Sequence, residues 1–342
     1  MMPLMPISRA ALEALPKIEL HVHLEGTVGA DTARTLAANH SLDPSSLPFG
    51  DAGYPTRFDS FQHFVDCYLG VCALIRTPDD LGTVAAAFAK AQEAQNVLYT
   101  EVTFTALTHV RNGMEPKAMW QAVSDGFAEA DTHIRLIVDA VRDMGPQHGT
   151  DTVALVEAAD ADICALGLTG IEGSTPEREF RMLSDAAQEM GLGLTIHAGE
   201  TKGPEIVRAA LDDLGAQRIG HGVGSMPDDE LVARLVKDFV PVEVCPTSNV
   251  VLGVFPSLEE HPFPEMWKRG MNVTVNSDDP PFFSTTLTDE LENASMLAAL
   301  EVADVAELQR RAAHAAFCSQ DVRGNLLAAI GAWEEKHTEV PS

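Results

Sequence analysis

Residues 21–26 read His-Val-His-Leu-Glu-Gly, two imidazoles one residue apart with a carboxylate two positions on. In an extended strand, positions i and i+2 project to one side, so His21 and His23 can converge on one point. A pair so placed is either half of a metal shell or two hydrogen-bonded core histidines, and the hexapeptide alone leaves both open. Further along, "LTIHAGE" supplies His197 and Glu200, "RIGHG" supplies His221, and "VNSDDPP" supplies the adjacent carboxylates Asp278 and Asp279. Three imidazoles and one carboxylate form a nitrogen–oxygen donor set suited to zinc, with iron and manganese as alternatives. Glu200, three residues after His197, is placed either to pass a proton from a metal-held water or to cap a helix start. His221 sits among glycines, where it either steers that water or bonds to backbone in the core. Asp278 and Asp279 are consecutive, so on a regular strand they face different ways, one toward a metal and the other toward a substrate. A surface Asp-Asp-Pro-Pro turn is the alternative for that tetrapeptide.

These residues need a frame that brings them together. Eight short apolar, β-branched runs are expected as strands: 17–23, 97–105, 133–141, 163–168, 193–197, 218–221, 240–245 and 272–276. Helical stretches alternate with them, at 78–95, 116–131, 151–160, 176–190, 203–214, 227–237 and 262–269, several opening with Pro. Eight strands alternating with helices over 342 residues point to an α/β fold, a (β/α)8 barrel of the TIM type. In such a barrel the reactive residues belong at the C-terminal ends of the strands, and His21, His23, His197, His221 and Asp278 all fall there. Two departures from simple alternation are expected: an insertion after the first strand, residues 31–95, and extra helices from Leu287 onward. The insertion contains "FDSFQHFVDCYLGVCALI", with Phe58–Phe64 a candidate lid over the barrel mouth. No repeat or Gly/Ser linker marks a boundary, so residues 1–342 are expected to form one domain.

With 51 acidic against 23 basic residues, the formal net charge is −28. That charge argues against nucleic acid and anionic membranes as partners and favours a small neutral ligand. No apolar run approaches the roughly 18–20 residues of a spanning helix. The first residues carry neither a basic leader nor a cleavage signal, so a cytoplasmic location is expected. The five cysteines are scattered in apolar segments and read as reduced thiols. A homo-oligomer is left open. None of the lysines lies at the end of the fourth strand, where binuclear barrel hydrolases bridge two metals through a modified lysine, so one metal is expected.

Taken in order, "PKIELHVHLEG", "HAGE", "RIGHG", "CPTSN" and "VNSDDP" resemble the adenosine/adenine deaminase branch of the amidohydrolase superfamily. The resemblance implies a distorted (β/α)8 barrel, one catalytic Zn2+ and hydrolytic deamination at C6 of a purine. It makes His21, His23, His197 and Asp278 the zinc ligands, and Glu200 the proton shuttle to ring N1. It further makes His221 the orienter of the attacking hydroxide, Asp279 the partner of N7, and Gly170 in "LTGIE" the backbone donor to N3. His23 also faces the substrate. Adenosine deaminases usually carry Asp where this chain has Glu25, and that Asp reaches a ribose hydroxyl. A longer carboxylate on a loop at the mouth would crowd the sugar, so adenine, yielding hypoxanthine and ammonia, is the expected substrate. Adenosine, an N6-substituted adenine, guanine and aminofutalosine are the alternatives within the same chemistry, and a silent purine-binding pseudoenzyme is the alternative outside it.

Overall fold

In a computed structural model of the chain, which describes residues 7–338, eight parallel strands stand in one sheet in sequence order. They are β1 (Lys17–His23), β2 (Val97–Phe104), β3 (His133–Val141), β4 (Ile163–Thr169), β5 (Gly193–Ala198), β6 (Arg218–His221), β7 (Val242–Val244) and β8 (Val273–Val275). Residues of β1 and β4 are buried throughout, as expected of parallel strands covered by helices outside and side chains inside. The sheet curls until β8 meets β1, where His23 N–H donates to Asp278 O at 3.0 Å and Asp278 N–H to His21 O at 3.1 Å. This is the expected (β/α)8 barrel.

Helix starts follow the sequence cues. Thr77 and Asp80 form a capping box ahead of Pro78–Ala94, and Pro occupies the first turn of Pro116–Phe127, Pro146–Glu157 and Pro204–Asp212. Some boundaries move. The helix expected over 151–160 begins at Pro146, because Gly145 at φ 77° turns the chain into it immediately after β3. The helix expected over 176–190 is a 3-10 turn at Glu177–Phe180 followed by α-helix at Arg181–Met190. β7 is shorter than expected: Val240 N–H closes the preceding helix onto Leu235 O at 3.0 Å, and Cys245 already caps the helix Pro246–Val251.

The insertion after β1 holds the helices Ala30–Asn39 and Phe61–Cys72 before the regular barrel helix 78–94. The expected Phe58–Phe64 lid helix starts only at Phe61, where the Ser60 side chain accepts from His63 N–H. The extra C-terminal helices are Leu287–Ala298, Val302–Ala315 and Gln320–Thr338. They share one hydrophobic core with the barrel through residues such as Leu291, Ala306 and Ile330. Among the described residues no helix is long and apolar enough to cross a membrane, and the five cysteines are free. The leader reading falls on residues 1–6, which lie outside the described residues, as do 339–342.

Candidate active site

Four donor atoms meet inside the C-terminal rim of the barrel. His23 Nε2 lies 3.1 Å from His197 Nε2. Asp278 Oδ1 stands 3.4 Å from His21 Nε2 and 3.3 Å from His23 Nε2. Ligands held about 2.0–2.1 Å from a tetrahedral zinc are separated by roughly 3.3 Å, so these donors already have the right spacing. His21 Nδ1 meets Glu243 Oε2 at 2.9 Å, so in the neutral ring that a metal requires the proton sits on Nδ1 and the buried Nε2, which has no hydrogen-bond partner in the protein, is free to ligate. The residues present therefore fit one zinc ion. A second grouping, His21, His221, Cys245 and Asp278, also falls within ligand reach. Burial holds the Cys245 thiol well above its ordinary value, and Cys245 does not border the cavity that His23, His197 and Asp278 line.

The electrostatics of the cluster call for positive charge. Burial opposes charging His21 and His23, but Asp278, joined at His21 by Glu243, outweighs it and lifts them to about 10 and about 9. Burial likewise opposes the Asp278 carboxylate, yet the two imidazoles hold it well below the usual range. His197 is pushed well down by burial and by its neighbouring imidazoles, so it is neutral and able to ligate.

Local backbone makes this convergence possible. His221 and Asp278 both occupy left-handed conformations, at φ 60° and 64°, the first at the end of β6 and the second three residues beyond β8. Such residues are uncommon outside glycine and gather at functional sites. The turn at Asp278 breaks strand alternation, so Asp278 and Asp279 line the same cavity instead of facing apart. A Cβ at Gly220 would stand 2.9 Å from His21 Cε1, and one at Gly26 would stand 1.7 Å from Asp279 Oδ1. Both positions require glycine for the close approach of a site residue.

The cavity beside the cluster has a volume of about 1020 Å³ counting its open mouth, and Glu25, Gly170, Glu200, His221 and Asp279 all border it. Burial, then Asp278 and Glu172, raises the Glu200 carboxyl well above its usual value, which favours the protonated form that a proton donor needs. Asp279 is raised well above its usual value by burial and by Asp278, and its Oδ1 is buried without a partner. Glu25 is not on a loop at the mouth: it is 1% exposed, in a 3-10 turn directly after β1. Its Oε1 accepts from Thr105 N–H at 3.1 Å and from His109 Nε2 at 3.1 Å, which prevents it from rotating away, while Oε2 is buried and unpartnered.

His221 is held in one tautomer by a relay. Phe263 N–H donates to His261 Nδ1 at 3.1 Å, so His261 Nε2–H donates to Asn249 Oδ1 at 3.1 Å. The Asn249 amide then donates to His221 Nδ1 at 3.4 Å, which puts the remaining proton on His221 Nε2. That nitrogen lies 3.9 Å from Glu200 Oε2 and 3.9 Å from Asp278 Oδ2. Burial keeps the ring neutral by lowering it to about 4.

Several supporting residues escaped the sequence reading. Glu172 accepts from the backbone N–H groups of Glu200, Thr201 and Lys202 at 3.0, 2.8 and 2.7 Å, fixing the "HAGE" loop. Ser248 Oγ donates to Asp278 Oδ2 at 2.7 Å. Buried Arg142 donates to the His197 carbonyl and to Glu177. "CPTSN" contained Ser248 and Asn249 but gave no hint of their partners. Glu172, two residues after Gly170, was the readable signal.

A barrel with a three-imidazole, one-carboxylate cluster at its C-terminal rim is the architecture of a metal-dependent hydrolase. The family model described as adenosine deaminase matches residues 16–333, and the chain belongs to that family. It is 37% identical to an aminodeoxyfutalosine deaminase of Streptomyces avermitilis, covering 93% of this chain and 91% of that one. It is 36% identical to an adenine deaminase of Chelativorans sp., covering 92% and 98%. A crystal structure of adenine deaminase from Arthrobacter aurescens superposes with a TM-score of 0.88 at 30% identity, covering 94% of this chain and 99% of that one.

Proposed function

We propose that this chain is a zinc-dependent deaminase that hydrolyses adenine to hypoxanthine and ammonia. His21, His23, His197 and Asp278 would hold the zinc, which when bound would lower the pKa of water to roughly 7 and so supply the nucleophile at neutral pH. Glu200 gives its proton to ring N1, which makes C6 electrophilic, then takes the proton left on the attacking oxygen and passes it to the departing amine, so that the C6–N bond breaks and ammonia leaves. His221 directs its Nε2–H at the attacking oxygen and orients it. Asp279, whose carboxyl burial shifts toward the protonated form, donates to N7, which in the common N9–H tautomer has only a lone pair to offer. Gly170, bordering the cavity after β4, presents its backbone toward N3.

The observation that carries the choice of free base is Glu25. A buried carboxylate oxygen without a partner at the cavity wall calls for a donor from the ligand. Free adenine offers N9–H in addition to its amine, whereas in a nucleoside N9 is substituted. A second reading, a 6-aminopurine substituted at N9, is favoured by the mouth. There Leu69, Met144 and Ile171 are 49%, 56% and 38% exposed while bordering the same cavity.

The deciding experiment is a substrate panel on zinc-loaded protein, following ammonia release and loss of the adenine absorbance. Turnover of adenine well above that of adenosine and other N9-substituted adenines is expected. Turnover of the substituted compounds with none of adenine overturns the free-base reading, and purine binding without ammonia overturns the enzyme.

A further inference from the structure

The four cluster residues are not supported alike. Among the described residues, His21 is the one cluster imidazole whose distal nitrogen meets a carboxylate, Glu243 in the middle of β7. Glu243 is itself gripped from below. Its Oε1 stands 2.5 Å from Arg218 Nε, and Thr195 Oγ1 lies 3.3 Å from the same oxygen. Arg218, at the start of β6 and 1% exposed, reaches across the barrel floor to Glu101 Oε2 at 2.5 Å. Glu101 is then tied to the C-terminal segment: Tyr99 Oη–H donates to its Oε1 at 2.7 Å and Phe317 N–H at 2.6 Å. The Phe317 ring caps the assembly, with the Arg218 guanidinium 4.1 Å from its centroid. Arg135 completes the latch by donating to Phe317 O at 2.6 Å.

We propose that Glu243, pinned by Arg218 and Glu101 and capped by Phe317, is the positioning residue that holds the proton on His21 Nδ1 and turns a bare Nε2 into the cluster. The barrel floor thereby sets the metal affinity of the site. The inference rests on the zinc reading above. A neutral amide in place of Glu243 cannot serve both neighbours. If its oxygen faces Arg218, its N–H faces His21 Nδ1, which must then accept, and the proton moves to Nε2, the atom that has to be bare. If its oxygen faces His21, its N–H groups face a guanidinium that accepts nothing. Partners of metal-bound histidines typically change metal affinity by about 10- to 100-fold when removed.

The test measures zinc dissociation constants of the full chain by competition with a chromophoric chelator, and follows the His21 Nδ1–H of the zinc-loaded protein by NMR. Glu243→Gln is expected to weaken zinc binding by about 10- to 100-fold and to remove the carboxylate-bonded His21 Nδ1–H resonance, a change that a purely structural role would not cause. Should the orphaned Arg218 prevent that variant from folding, the double variant R218M/E243L removes the buried pair together, leaves no carboxylate or amide to accept from His21 Nδ1–H, and is expected to bind zinc as weakly. A Glu243→Gln protein, or a folded double variant, whose zinc affinity lies within twofold of wild type overturns the proposal, as does an unchanged His21 Nδ1–H resonance in the zinc-loaded variant. Wild-type protein that takes up no zinc overturns the zinc reading and this inference with it. Zinc binding without adenine turnover overturns only the choice of substrate.

Discussion

The proton economy of the site falls on two side chains whose environments set opposite roles. Burial and neighbouring carboxylates raise the Glu200 carboxyl and favour its protonated form, while burial lowers His221 and favours a neutral ring with its donor aimed inward. Glu200→Gln keeps size and hydrogen bonding but can move no proton, so kcat is expected to fall by about 10²- to 10⁴-fold with zinc content unchanged, checked by steady-state assay and metal analysis. Asn249→Asp exchanges the donor facing His221 Nδ1 for an acceptor and transfers the ring proton to Nδ1. A kcat lower by about tenfold with KM nearly unchanged is expected, the size of one hydrogen bond that no longer reaches the reacting oxygen. The ligands were legible in the sequence because a histidine at a strand end is conspicuous. Glu25 was legible by type but misplaced, because its partners Thr105 and His109 lie 80 and 84 positions away, on the far side of β2. Glu243 and Asn249 were not legible at all, since a polar residue on a strand or short helix reveals its partner only once the barrel fixes the register.

At the scale of elements, the strand–loop junctions do the positioning, and each junction is stiffened from outside. The loop after β7 is tied to the C-terminal helices by Glu290 in Leu287–Ala298, which accepts from Thr247 N–H at 3.1 Å and from Thr285 Oγ1–H at 2.5 Å. Burial, against those two hydrogen bonds, raises the Glu290 carboxyl to about 7. A raised carboxyl favours the neutral folded form, so its contribution is complete below the unfolded value of about 4.5 and is lost as pH rises through about 7. Glu290→Gln stays neutral and can serve both partners. Its melting temperature is therefore expected to match wild type near pH 5 and to exceed it near pH 8, by the equivalent of about 3 kcal/mol, measured by calorimetry across that range. The strands and most helices were legible from periodicity and from Pro and Thr at helix starts. The ends of β7 and of the helix at Pro146 were not, because single turns at Phe239 and Gly145 decide them.

For the molecule as a whole, the proposed zinc site ties metal to fold, because its four donor residues come from β1, β5 and the segment after β8 and converge only in the closed barrel. Removing zinc with a chelator is expected to lower the melting temperature, and restoring it to recover the original value. The stabilisation is about 4 kcal/mol when free zinc stands at a thousand times its dissociation constant, measured by scanning calorimetry at fixed metal. The sheet closes on itself through the site: Val22 pairs with Asp278, and Leu20 N–H donates to Asn276 Oδ1 across 256 positions of sequence at 2.9 Å. The last seam of the barrel is thus stitched by the backbones of residues proposed to hold the ion. A zinc bound as proposed would be a clasp between the beginning and the end of the fold, so hydrogen exchange along that seam is expected to slow when the site is loaded.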